Sequence, residues 1–326
     1  MQTTTIEHLS YPVTIWEPHE APAWDHNPTI CRDDKNNVWV GIRHHDLLPL
    51  TVHLDPTNPN THEPSRFMLG KLDVATLKVS DLKLITPEIG GDPCLNKGIE
   101  DVRIYHRYDG LRGVGVIYSP HGITQGELGI NYETGHFRLL HDYGQPYKHT
   151  EKNWSPASTL TEQFDFIYSQ TQVIKYGKPR GKEIYHGEIH GGSQLLPYKD
   201  GYISIAHRVS PIVGLTWRWY ASVARLHDST GRVTHISQFF DFGTGWRENL
   251  QESVEYVSGA IWLDEGKELL LSLGIKDEKC GFVKVPVSVF KWEKAGGSVS
   301  KFELDSSLQK IVKSHAGSVP VQEIVL

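Results

Sequence analysis

The sequence is short of several things, and each shortage narrows what the chain can be. It holds only 3 cysteines in 326 residues. Cys31, Cys94 and Cys280 are odd in number and far apart, so they supply neither a metal-ligand spacing nor a disulfide framework. They read as reduced thiols of a cytoplasmic protein. No apolar run approaches the ~18 residues of a membrane helix, and mean hydropathy is −0.38. Met1-Gln2-Thr3-Thr4-Thr5-Ile6-Glu7 has no basic n-region and no apolar h-region, so no secretory signal is expected. No Lys/Arg block of five occurs, net charge is −6 and the pI is about 6.3. Neither nucleic acid in general nor a membrane surface is expected as a partner. Helical periodicity is nearly absent.

What is present is a series of short β-branched and aromatic runs separated by Gly, Asp, Asn and Pro. Val38-Trp39-Val40-Gly41-Ile42, Val114-Gly115-Val116-Ile117-Tyr118 and Phe164-Asp165-Phe166-Ile167-Tyr168 are three. Tyr202-Ile203-Ser204-Ile205-Ala206 and Leu269-Leu270-Leu271-Ser272-Leu273 are two more. Asp109-Gly110, Asp200-Gly201 and Glu265-Gly266 supply turns between runs. The 9 Trp, 14 Tyr and 10 Phe are enough for a sizeable core.

A grammar repeats: a polar opening, a strand, a turn, a second strand. The openings are Asp25-His26-Asn27-Pro28-Thr29-Ile30, Glu100-Asp101-Val102-Arg103-Ile104, Glu151-Lys152-Asn153-Trp154-Ser155-Pro156, His190-Gly191-Gly192-Ser193-Gln194-Leu195 and Glu255-Tyr256-Val257-Ser258-Gly259-Ala260. A period of about 50 residues is that of propeller blades. The expectation is an all-β, five-bladed β-propeller over residues 1–326, a single domain with a central substrate funnel. Each innermost strand would bring its opening to one end of the channel. Asp55 to Pro64 reads as a loop between blades, and the segment after Lys294 as a closing strand and tail.

Several local patterns exclude themselves. His186 and His190 stand four apart, about 13 Å on a strand and too far for one ion. His44 and His45 would point to opposite faces. No zinc site is expected. His190-Gly191-Gly192-Ser193-Gln194 lacks dinucleotide and P-loop spacing, so its glycines read as close backbone approach. His186-Gly187-Glu188 is not followed by Pro-Cys-x-x-Cys, and no Gly-x-Ser-x-Gly elbow occurs. Taken alone, Glu100-Asp101-Val102-Arg103 could be a surface ion pair capping a strand.

In order, the five openings resemble those of the five-bladed glycan-active propellers, closest to the mannoside phosphorylase and hydrolase group (glycoside hydrolase family 130) and related propeller glycosyltransferases. The phrases are Asn27-Pro28-Thr29-Ile30, Gly98-Ile99-Glu100-Asp101-Val102-Arg103-Ile104, Glu151-Lys152-Asn153-Trp154-Ser155-Pro156, Gly191-Gly192-Ser193 with His207-Arg208, and Tyr256-Val257-Ser258-Gly259 with Leu273-Gly274-Ile275-Lys276-Asp277. They span roughly residues 24 to 290. Val102 stands where the family has proline, and Gly274 to Asp277 lacks the family's aromatic.

The resemblance implies an enzyme that transfers or cleaves a mannoside-like glycosyl unit with inversion, as a phosphorylase or glycosyltransferase, with Asp101 as the acid. A hydrolase of the same fold, and a non-catalytic propeller that binds glycan or protein, are the alternatives. Glu255 would be the second carboxylate, either a base for water or a ligand for sugar hydroxyls. Glu100 and Arg103 would hold Asp101 or bind sugar. Asn27 stands at the first opening. Lys152 and Asn153 suit phosphate or carboxylate oxygens. Trp154 either stacks on a sugar or wedges the core. Arg43 and Arg208 add positive charge if they point inward. His190, Gln194 and His207 would bind hydroxyls or serve the structure, and Asp277 would assist. No cofactor is expected, with inorganic phosphate or a sugar-phosphate donor as co-substrate and a carbohydrate as partner.

Overall fold

The computed structural model describes residues 3–17, 24–45, 65–91, 95, 98–119, 122–144, 153–157, 165–167, 173–175, 178–180, 189–212, 218–247, 252–296 and 301–315. Lys152, Cys94, the 55–64 segment and His186 to Glu188 lie outside them. The chain is nearly all β. Among the described residues one α-helix occurs, Ser306–His315.

The strands pair as antiparallel runs. The first run is Trp24–Arg32, Val38–His45, Arg66–Asp73 and Lys78–Pro87. The second is Ile99–Arg107, Gly110–Ser119, Gly122–Asn131 and His136–Asp142. Parallel pairing of His136-Phe137 with Thr86-Pro87 joins these into one eight-stranded sheet. Ser155–Pro156, Phe166–Ile167, Val173–Lys175 and Lys178–Arg180 form a four-stranded sheet. The fourth run centres on Gly201–Pro211, Arg218–His227 and Val233–Asp241, with Ile189–Gly191 along the edge of Gly201–Pro211. Glu255–Asp264, Glu268–Ile275 and Lys279–Pro286 form the last, and Thr14–Trp16 completes it from the start of the chain.

Packing follows chain order. Phe67 and Ile85 of the first run meet Ile99, Ile104 and Leu128 of the second. Tyr105 and Val114 meet Trp154 and Phe166. Ala157 and Ile167 meet Leu195. Ile203, Ile205 and Phe240 meet Leu271, Leu273 and Val283. Ile261, Leu270 and Phe282 then meet Ile30, Val40 and Ile42 of the first run. A strand with neighbours on both faces cannot alternate apolar and polar, and Glu268–Ile275 is buried at every position after Glu268. Each such Leu or Ile contributes about 1.5–3 kcal/mol of burial.

Of the strand expected over Phe164 to Tyr168, Phe166–Ile167 is strand, and Phe164 and Tyr168 lie outside the described residues. One feature differs from the expectation. The C-terminal segment is more than a strand and tail. Lys301–Leu304 pairs in parallel with Thr3–His8, and a helix follows. Asp305 Oδ1 caps that helix by accepting from Ser307 N–H (2.9 Å) and Leu308 N–H (2.8 Å). Leu308, Ile311 and Val312 face Ile6 and Phe302. Ten residues hold too few helical repeats to stand out within so β-rich a chain.

Candidate active site

Three openings share a backbone device. Asn27, Asp101 and Asn153 all lie in the left-handed region, at φ 53°, 51° and 64°. Asx residues tolerate it because their short polar side chains bond locally. Ladder register slips beside two of them, between His26 and Thr29 and between Glu100 and Arg103. A bulge re-aims side chains at a strand end. Here it leaves Asp101 11% exposed while the strand behind it is buried.

Asp101 is the hub. Its Oδ1 accepts from Asn27 Nδ2 at 2.8 Å and from Arg43 Nη1 at 3.3 Å. Arg43 Nη2 lies 3.2 Å from Glu100 Oε1, and Arg43 Nε donates to Ser65 Oγ at 2.9 Å. Arg103 is fully buried and ties three runs together. It donates from Nη1 to the Asp101 carbonyl (3.0 Å), from Nη2 to Asn153 Oδ1 (2.9 Å) and from Nε to the Gly192 carbonyl (2.8 Å). An interior guanidinium is tolerable only when so satisfied.

The glycines act as close-approach residues. A Cβ on Gly191 would collide with the Asn153 carbonyl oxygen, and one on Gly192 with that of Val257. Gly274 backs the site, where a Cβ would sit 2.6 Å from Asn27 Oδ1 and 3.3 Å from the Tyr256 ring.

Around this hub stand imidazoles and phenols. His26 stacks on His45 at 5.3 Å, and His207 lies 5.0 Å from Tyr256, 6.1 Å from Tyr220 and 5.7 Å from His190. Burial, and then the Arg43 charge, push His26 well below the ordinary histidine value and His45 down to about 4. Burial also lowers His190 and, with His190 beside it, His207. All four imidazoles are therefore neutral at pH 7, able to donate and accept but carrying no charge. Asp277 is exposed, at φ 54°. Desolvation by the surrounding protein, then the Asp101 charge, raise its carboxyl above the ordinary value. Tyr256 is raised by burial and by the same two carboxylates.

The remaining expected residues sit elsewhere. Gln194 is buried, its Nε2 donating to the carbonyls of Ile30 (2.7 Å) and Ala260, so it bridges the first and last runs. Trp154 is fully buried, 5.3 Å from Tyr143 and 5.5 Å from Phe166, the core position of its two alternatives. Arg208 is buried with its guanidinium carbon 5.5 Å over Phe302. Glu255 is buried, with Oε1 accepting from Phe242 N–H (2.6 Å) and Oε2 from Thr244 N–H (2.7 Å). Sequence reasoning assigned no role to His26, His45, Ser65, Tyr220, Tyr256 or Arg247. His26 and Tyr256 adjoin expected residues and could have been found by extending each opening. Ser65 and Arg247 carry no local signal. Among the described residues no His/Cys/Asp/Glu group suited to a metal occurs.

Comparison with known proteins is one-sided. No family model matches the sequence, and no curated protein matches it. Solved structures do match. A glycosyl hydrolase from Bacteroides ovatus shares 12% identity over 84% of this chain and 86% of its own, with a TM-score of 0.55. The β-1,2-mannobiose phosphorylase of Listeria innocua, in complex with β-1,2-mannobiose, shares 11% over 85% and 97%, with a TM-score of 0.54. A GDP-Man-dependent mannosyltransferase from Leishmania mexicana shares 11% over 90% and 94%, at 0.50. At such identities what is shared is the fold. It is the fold of glycan-active proteins of three activities.

Proposed function

We propose that this chain is a five-bladed β-propeller enzyme acting on the glycosidic bond of a mannoside-like carbohydrate, with Asp101 as the general acid. The observation that carries the reading is convergence. Asn27, Arg43, Asp101, Arg103, Asn153, His207, Tyr256 and Asp277 come from five strand runs and share hydrogen bonds, ring contacts or charge interactions at one place. The ring-wise packing of those runs, last against first, supports the five blades.

Glycosidic cleavage needs a proton at the leaving oxygen. Asn27 and Arg43 both donate to Asp101 Oδ1, which fixes the orientation of the carboxyl that would deliver the proton. The neutral imidazoles of His26 and His207 accept from or donate to sugar hydroxyls. Asp277, rather than Glu255, is the second carboxylate of the reaction, because both Glu255 oxygens already hold backbone amides. Transfer proceeds with inversion, to or from phosphate or an acceptor sugar.

Hydrolysis is the second reading, and one observation favours it. Arg43, Arg103 and Arg247 are all engaged by carboxylates or carbonyl oxygens, which weakens the case for a phosphate subsite at the described part of the mouth. Incubation with manno-oligosaccharides, with and without inorganic phosphate or GDP-mannose, separates the readings. Sugar 1-phosphate formed only with phosphate means phosphorolysis, and free sugar without it means hydrolysis. Asp101→Asn should lower turnover by about 10²–10⁴-fold with the fold intact. Absence of turnover on every substrate, with Asp101→Asn binding sugar as well as wild type, would leave a binding propeller.

A further inference from the structure

Behind Glu255 lies an unusual loop. Three consecutive amides point at carboxylates: Phe242 and Thr244 N–H at Glu255, and Gly243 N–H at Asp241 Oδ1. Gly243 is at φ 77°. Successive amides in such a turn form a concave donor set suited to an anion. The chain fills it with its own carboxylates, and Trp219 Nε1 holds Asp241 Oδ2 at 2.9 Å.

This clasp leads directly into Trp246–Arg247, which pairs with Glu252–Ser253. There is no slack between them. A Cβ on Gly245 would lie 2.6 Å from Glu255 Cβ, and Val254 N–H donates to the Gly245 carbonyl at 3.0 Å. Arg247 then reaches Glu252 Oε1 at 3.4 Å and Glu278 Oε1 at 3.3 Å. Glu278 belongs to the turn that carries Asp277. That turn is closed by Glu278 N–H to the Ile275 carbonyl (3.0 Å) and tied to the same segment by Lys276 N–H to the Val254 carbonyl (2.7 Å).

The turn needs such support. Lys276 and Asp277 lie at φ 59° and 54°. Two successive left-handed residues suit Asn-Gly, not Lys-Asp. Non-glycine residues stay in that region only where their surroundings over-determine it, and they cluster at functional sites.

We propose that Glu255 and Arg247 are positioning residues for Asp277: the Glu255–Asp241 clasp sets the segment 242–247, and Arg247 from that segment pins the Lys276-Asp277 turn so that Asp277 stands in the mouth with Asp101. The role assigned to Asp277 rests on the glycan-active reading above, whereas the mechanical linkage does not. The charged groups facing Asp277 are Asp101, Arg43, Arg247 and Glu252, with Lys276 and Glu278 on its own turn. Of the two arginines, Arg247 favours the ionised carboxyl more strongly.

The test is hydrogen–deuterium exchange on the full chain without substrate, for wild type, Arg247→Met and Glu255→Gln. Losing a charge-assisted hydrogen bond should speed exchange over 275–279 by about tenfold in both variants. Segment 242–247 should loosen in Glu255→Gln alone. Unchanged exchange over 275–279 in Arg247→Met overturns the proposal. If Glu255→Gln does not fold, Arg247→Met and Thr244→Val, which removes the hydroxyl that donates to Glu255 Oε2, carry the test, since neither removes a buried carboxylate. Where wild type turns over a manno-oligosaccharide, Arg247→Met should shift the acidic limb of kcat/KM to higher pH, because a cation favouring the Asp277 carboxylate is gone. A limb that stays in place while thermal stability falls would show Arg247 to be merely structural. Wild type inert on every glycoside would remove the proposed reaction and leave the exchange result to judge the linkage.

Discussion

At the scale of single residues, the same side-chain type does different work according to what surrounds it. Asp101 and Glu255 both stand near the start of the first strand of their runs, and the sequence offers both as carboxylates of one reaction. Asp101 keeps a face toward solvent, while Glu255 is enclosed by the loop it holds. Glycine makes the point more sharply. Gly274→Ala would put a methyl 2.6 Å from Asn27 Oδ1, the side chain that donates to Asp101. Overpacking of this kind costs about 1–3 kcal/mol. The expected outcome is a lowered urea midpoint together with a loss of turnover beyond what the lowered stability explains. A variant as active and as stable as wild type would show that the backbone gives way there.

At the scale of elements, the ends of the chain are structural parts. Thr14–Trp16 adds the fourth strand to the last run, and Thr3–His8 lies between Val233–Asp241 and Lys301–Leu304. Asp305 links them, capping the helix with Oδ1 and accepting from His8 N–H with Oδ2 at 2.7 Å. Asp305→Ala should therefore cost about 0.5–2 kcal/mol, read as a shift in urea midpoint with the m-value unchanged. No change would mean that water replaces both contacts. The strands were legible in the sequence because alternation and turn dipeptides are local signals. The helix was not, since its reason to exist is the apolar surface of Ile6 and Phe302, which no local pattern displays.

At the scale of the whole molecule, buried ionisable groups set the response to pH. His26, His45, His190, His207 and His227 are all lowered, chiefly by burial, with His45 at about 4 and His227 at about 3. A histidine lowered on folding stabilises above its unfolded value, and that stability is lost as pH falls toward the folded one. Asp241 and Glu255 are raised, again chiefly by burial. Their contribution has the opposite sign, present at low pH and lost as pH rises. Each fully engaged group changes stability by about 1.4 kcal/mol per pH unit. Five imidazoles outweigh two carboxyls, so stability should fall as pH drops from about 6.5 toward 4.5. Urea midpoints across that range check the sign, and a flat or rising profile on acidification would refute it.

Local chemistry in the sequence was enough to determine an all-β chain of repeated strand runs and a set of polar openings from which candidate residues could be drawn. Strand period, turn residues and the Asx, glycine and carboxylate content of each opening are properties of neighbours in sequence. Only the tertiary structure decided which openings meet. It placed Arg43 on Glu100 and Asp101, and Arg103 across to Asn153 and Gly192. It packed Trp154 into the core, gave Gln194 to two backbone carbonyls, and put the loop amides of Phe242 and Thr244 on Glu255. It also made the imidazoles neutral. The reason is the same throughout: a hydrogen bond between distant segments and the desolvation of a charge exist only once the sheets have packed, and no window of sequence contains either.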